Sequence, residues 1–186
     1  MASEHIYKQF DSDLEAIRAK VLEMGTLVEE QTANAVKSLL NTDIKLAEQV
    51  MKRDVQINDL EVAIDEETSL LIAKRSPAAG DLRNIMMMLK IITDLERMGD
   101  EASKIARSTT RIFEDNRMNK PRFTEIKGMA KAVQGMIKTA LNSFARLDLS
   151  DTIDILEKDK QVDDDYRSCM RQLLTFMLED PRTISM

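Results

Sequence analysis

The chain has 186 residues, with no Trp, five Gly, three Pro, 13 Met and 32% charged residues of interleaved sign, the composition of long packed helices rather than of a sheet protein. A formal net charge of −6 argues against nucleic acid as a partner. No apolar run reaches the ~20 residues of a membrane span, and no signal peptide is visible. The single cysteine, Cys169, permits no internal disulfide and suits a reducing compartment, so a cytoplasmic location is expected. The length allows one large or two small domains with real cores.

Residues 1–5 read as a frayed end carrying the only histidine, His5. From Phe10 a heptad runs through Leu14, Ile17, Val21, Met24 and Val28, which predicts one helix from about Ile6 to Leu40. Asn41-Thr42-Asp43 closes that helix and caps the next. The second helix repeats Val50, Ile57, Ile64 and Leu71, with Leu60 between them. Beside this seam run Asp54, Asn58, Glu61 and Asp65, whose 4-3-4 spacing confines them to a strip about 60° wide. A solvated face, or pairing with Lys or Arg from a neighbour, explains many such strips. A strip that flanks the seam this closely also fits a functional surface.

Residues 75–81 break the chain, with Pro77 suited to a first helical turn and Ser76 or Asp81 as candidate caps. Lys74, Arg75 and Arg83 flank this break and read as a solvated loop, the alternative being a basic docking patch. The central helix comes next, to about Asp115. Met88, Ile91, Leu95, Met98, Ala102 and Ile105 recur at helical spacing, beside a second seam through Ile85, Leu89 and Ile92. Met86-Met87-Met88 reads as adaptable core packing. Lys90, Asp94, Arg97, Glu101, Lys104 and Arg111 gather on the opposite, solvated face. Glu96 does not join them: it sits at the edge of the apolar arc, with Gly99 beside it and Asp100 one turn on. A carboxylate there needs a cation, a proton or a hydrogen-bond donor.

Residues 116–121 form the one plausible linker, and beyond it the pattern begins again. A shift of 105 residues places Met24 on Met129, Val28 on Val133, Ala35 on Ala140 and Ser38 on Ser143. The same shift places Asp43 on Asp148, Asp54 on Asp159, Gln56 on Gln161 and Asp59 on Asp164. No gap is needed, and the matches fall on core, cap and acidic positions, the mark of an internal repeat. Helices are predicted over about 122–146 and 150–179. The expected architecture is all-α: tandem pseudo-repeated three-helix bundles over 1–116 and 121–186. The second bundle is expected to lack most of its last helix, and the apolar face thus left open predicts a homodimer.

Several stretches resemble the PhoU family along nearly the whole chain: Asn58-Asp59-Leu60-Glu61, Ala73-Lys74-Arg75-Ser76-Pro77, Asp159-Lys160-Gln161-Val162-Asp163 and Glu179-Asp180-Pro181-Arg182. Leu95-Glu96-Arg97-Met98-Gly99-Asp100 is the most specific of them. The resemblance implies a non-enzymatic negative regulator of phosphate uptake and of the phosphate-starvation response. Such a protein would be a metal-binding adaptor between the ATPase of the phosphate ABC transporter and the sensor histidine kinase. It would be cytoplasmic and held at the inner membrane only through its partners, with no insertion of its own. The family's Glu/Asp-x-x-x-Asp metal motif falls on Glu61/Asp65, Glu96/Asp100 and Asp159/Asp163, with Asp54 on the same strip as Glu61.

All-oxygen ligand sets favour Mg²⁺, Mn²⁺, Ca²⁺ or hard iron, and the absence of His and Cys from the strips disfavours tetrahedral zinc. A carboxylate-bridged di-iron enzyme would need Glu-x-x-His pairs, which the chain does not supply. The alternative is a helical scaffold whose acidic strips bind no metal. Glu61 lies 17 residues before Ala78 and Glu96 lies 18 after it, so antiparallel packing brings the two level, each about 26 Å from the turn.

Overall fold

The computed structural model describes residues 2–114 and 124–179, and every element among them is an α-helix. The helices are α1 (Ala2–Asn41), α2 (Ile44–Arg75), α3 (Ala79–Glu114), α4 (Thr124–Arg146) and α5 (Thr152–Glu179). The first begins four residues before the periodicity announces it, because nothing in Ala2-Ser3-Glu4-His5 stops a helix. The linker at 116–121, and the domain boundary drawn there, lie outside the described residues.

Helices α1, α2 and α3 pack against one another, α5 packs on α4, and α4 leans on α1. The core of the first three is the set their periodicity selected. Ile17, Val21, Met24 and Val28 from α1 meet Ile57, Ile64 and Leu71 from α2 and Ile85, Met88, Ile92 and Leu95 from α3. Farther along, Ala35, Ala47, Val50, Ala102 and Ala106 form a second buried cluster of mostly small side chains. Lys90, Asp94, Arg97, Glu101, Lys104 and Arg111 are all exposed, as the period requires. Only Met88 of the methionine run is buried; Met86 and Met87 face outward, since consecutive helical residues about 100° apart cannot share one face.

The two inter-helix corners repeat each other. Thr42 and Leu147, equivalent under the 105-residue shift, both adopt positive φ, 59° and 53°. The next N–H groups along the chain, of Asp43 and Asp148, donate to the carbonyls of Ser38 and Ser143 at 2.9 and 3.0 Å. This is one helix-ending motif built twice. Beyond it the two corners diverge. Asp43 caps α2 directly, accepting from the Leu46 N–H at 2.9 Å. Asp148 is occupied by the N–H and hydroxyl of Ser150, and α5 starts only at Thr152. At the end of α2, Ser76 takes φ 45° and its N–H donates to the Ile72 carbonyl. It closes α2 and does not open α3, because left-handed backbone terminates a helix. Arg75 leaves the loop and reaches Asp13 on α1 at 3.7 Å, while Lys74 and Arg83 stay exposed.

Helix α4 runs antiparallel to α1. Leu141 presses into the space left by the missing side chain of Gly25, and the Arg18 guanidinium sits 6.0 Å from the Phe144 ring centroid. Along α5, Ile153, Leu156, Leu173, Leu174 and Leu178 are exposed.

Candidate functional site

The acidic strip lies along the α2–α3 seam because the residues that carry it flank buried ones. Asp54 and Glu61 bracket buried Ile57, and Glu96 and Asp100 bracket buried Gly99. Asp54, Glu61, Glu96 and Asp100 are half-buried, whereas Asn58 and Asp65 are exposed.

Gly99 sets the distance between the helices. A Cβ there would lie 3.0 Å from Ile57 Cδ1 and 3.6 Å from Asp54 Oδ1. That contact fixes the register, and it places Glu61 opposite Glu96, the level pairing expected from counting to the turn. The electrostatics record it. Partial burial raises the Glu61 pKa above the ordinary carboxylate value, and the charges of Glu96 and Asp65 push it the same way. The neighbouring cations are engaged on the outer face of α3: Arg97 pairs with Asp94 at 3.5 Å and Lys104 with Glu101 at 2.7 Å.

Asp54 has a different partner. The side-chain amide of Gln31, 3% exposed on α1, donates to Asp54 Oδ1 at 2.9 Å. The same nitrogen lies 3.3 Å from the Gly99 carbonyl and 3.2 Å from Ser103 Oγ. Sequence reasoning missed Gln31. The signal was there: position 31 is the next step of the α1 heptad after Val28, and a polar residue stands where the pattern asks for an apolar one.

Asp159 and Asp163 are not brought to this face. They stand exposed on α5, which packs on α4 alone among the described helices. Asp163 lies 3.5 Å from Arg167 of its own helix. Among the described residues, no group of three or more His, Cys, Asp or Glu side chains converges closely enough to hold a metal ion. The α2–α3 face therefore offers level carboxylates without a closed cage. That donor set suits a hard cation that keeps part of its water, as Mg²⁺ does when one or two carboxylates bind it. A cleft of about 390 Å³ lies on the opposite side of α3 between Met98, Ile105, Val133 and Ile137 and contains none of the strip.

Residues 21–109 and 126–185 match the family model described as PhoU domain. The chain is 44% identical to the phosphate-specific transport system accessory protein PhoU homolog of Pseudomonas aeruginosa, over 98% of this chain and 75% of that protein. It is 40% identical to the phosphate-specific transport system accessory protein PhoU of Escherichia coli (strain K12), again over 98% of this chain and 75% of the relative. Its fold is similar to the crystal structure of PhoU from Pseudomonas aeruginosa, with a TM-score of 0.90, 43% identity and coverage of 95% of this chain and 84% of that one.

Proposed function

We infer the function from one premise: the chain belongs to the PhoU family. Its relatives carry the name of phosphate-transport accessory proteins, and we read this chain as one too, a regulator of phosphate transport and not an enzyme. In its fuller form the proposal is a negative regulator of phosphate uptake and of the starvation response. It acts as an adaptor between the transporter ATPase and the sensor histidine kinase. Among the described residues no helix is long and apolar enough to cross a membrane, and the proposed membrane association runs through these partners. Co-purification with the transporter ATPase tests the adaptor role; failure of the two purified proteins to associate at micromolar concentration contradicts it.

We further propose that the α2–α3 face binds a hard cation, Mg²⁺, Mn²⁺ or iron, through Glu61 and Glu96, with Asp65, Asp100 and Asp54 along the same strip. One observation carries this: Glu61 and Glu96 are held level in a partly buried seam, where burial first and the Glu96 charge second raise the Glu61 pKa. A cation between them removes that repulsion and supplies what burial withholds. Asp159 and Asp163 form the equivalent strip of the repeat and are assigned a weaker station, being exposed and without a facing helix among the described residues. Calorimetric titration with Mn²⁺ should give binding that the pair Glu61→Gln and Glu96→Gln removes; equal heats in both proteins would refute the assignment.

A second reading has its own support. With no converged ligand group among the described residues, Asp54 held by Gln31 and Asp163 beside Arg167, the strips would be structural and the chain a scaffold without metal. The same titration decides between the two. The exposed apolar residues of α5 support packing against a second copy, most simply as a two-fold dimer. Light scattering that finds a monomer at tens of micromolar counts against it.

A further inference from the structure

We propose that Gln31 is the positioning residue of the α2–α3 face: a buried amide on the first helix that sets how the acidic strips of the other two meet. The inference rests on reading that face as a cation site.

Gln31 does not touch the pair Glu61 and Glu96. It acts at one end of the strip, where a single amide nitrogen reaches a carboxylate of α2 and two oxygens of α3. Its two protons are shared among acceptors at 2.9, 3.2 and 3.3 Å. Sliding α2 along α3 by one residue, about 1.5 Å, would break the set. Apolar packing alone tolerates such adjustments far better than a buried polar network does, because an unmade buried hydrogen bond leaves a desolvated polar group unpaired. The amide spends its hydrogen bond on Oδ1 of Asp54. This orients the carboxylate within the seam in the way that outer partners orient metal ligands.

The repeat supplies an internal contrast. Under the 105-residue shift, Asp54 has its counterpart in Asp159, but Gln31 falls on Met136, whose thioether has no proton to donate. Asp159 is exposed where Asp54 is half-buried. The two strips share the acid at this position but not the residue that holds it in place. The positioned one is on α2.

The test replaces Gln31 by the residue the repeat carries, Gln31→Met, in the full chain, and measures Mn²⁺ affinity by calorimetry well below the unfolding temperature. A second variant, Val28→Ala, removes buried apolar volume one turn away on the same helix and controls for loosened packing. Gln31→Met should raise the Mn²⁺ dissociation constant roughly tenfold, the range seen when outer partners of metal ligands are removed. Val28→Ala should stay within about twofold of the wild-type value while unfolding at lower temperature, since its loss is packing alone. If Gln31→Met binds as tightly as the wild type, or Val28→Ala weakens binding equally, the positioning role is overturned. Should Gln31→Met fail to fold, Gln31→Asn keeps an amide but shortens its reach to Asp54 Oδ1, and unchanged affinity in that variant overturns the proposal too. A wild-type chain that binds no Mn²⁺ overturns both this inference and the cation reading, an outcome distinct from a loss confined to the inference.

Discussion

The first three helices and the pair α4–α5 carry the same pattern and end differently. Ile57 is 1% exposed, whereas its equivalent Val162 is only half-buried. Thr68 is fully buried, whereas its equivalent Leu173 is 46% exposed. The polar residue is inside and the apolar one outside, the reverse of what composition alone would arrange. Burial here is set by how many helices close around a position. Periodicity and caps are enough to make α5 a helix, but only a third partner turns its seam into a core. The acids obey the same logic. On α2 Asp54 lies half-buried, held by the Gln31 amide, while its equivalent Asp159 on α5 stands in water.

Truncating equivalent core residues should break or sharpen this contrast most. Ile57→Ala is expected to cost about 3 kcal/mol, within the range for emptying a buried site. Val162→Ala should cost about 1 kcal/mol or less, because its site is already half open. Urea unfolding tracked by helical circular dichroism measures both; equal losses would mean that α4–α5 owns a core as closed as the first.

Glycine substitutions probe close approach next. Gly99→Ala drives a Cβ to 3.0 Å from Ile57 and should cost about 1–3 kcal/mol through overpacking. At Gly135 nothing lies within 4 Å, so Gly135→Ala should stabilise by about 0.5–1 kcal/mol through helix propensity. Opposite signs in thermal unfolding are the expected result, and a gain at both positions would remove Gly99 as the residue that sets the α2–α3 distance.

Most of the fold was legible in the sequence, and the exceptions have physical causes. The seams Val50-Ile57-Ile64-Leu71 and Met88-Leu95-Ala102 come from helical period, which a single sequence carries in full. The level pairing of Glu61 with Glu96 could be counted, because a short turn fixes antiparallel register from its own position. Gln31 was hidden because its role depends on three helices at once, and local pattern records only that it interrupts a seam. Ser76 was assigned to the wrong helix because a cap residue states that a helix begins or ends nearby, not which one. The exposure of Leu173 and Leu174 depends on what covers α5, which the period of α5 cannot encode.

A smaller effect concerns pH. Burial, Glu96 and Asp65 together raise the pKa of Glu61 in the folded chain above its unfolded value. Such a group favours folding only where it is protonated, below the unfolded pKa, and that contribution is lost as pH rises through the folded pKa. At pH 7 and without metal, Glu61→Gln should therefore unfold at a higher temperature than the wild type. The difference should close as pH falls through the carboxylate range. A wild type that is the more stable of the two at pH 7 would mean that Glu61 is compensated in the seam and not strained.

The central claim is that the carboxylates held level between α2 and α3 receive a cation. Its most direct test is thermal unfolding with and without Mn²⁺, for the wild type and for the double variant Glu61→Gln, Glu96→Gln. At a hundredfold excess over its dissociation constant, Mn²⁺ should stabilise the wild type by about 2.7 kcal/mol, a rise of roughly 5–10 °C in Tm for a chain of this size. The double variant should start higher without metal and fail to respond. A wild-type Tm that does not move, or a double variant that rises as much, would contradict the claim and leave the strip a structural feature of the seam.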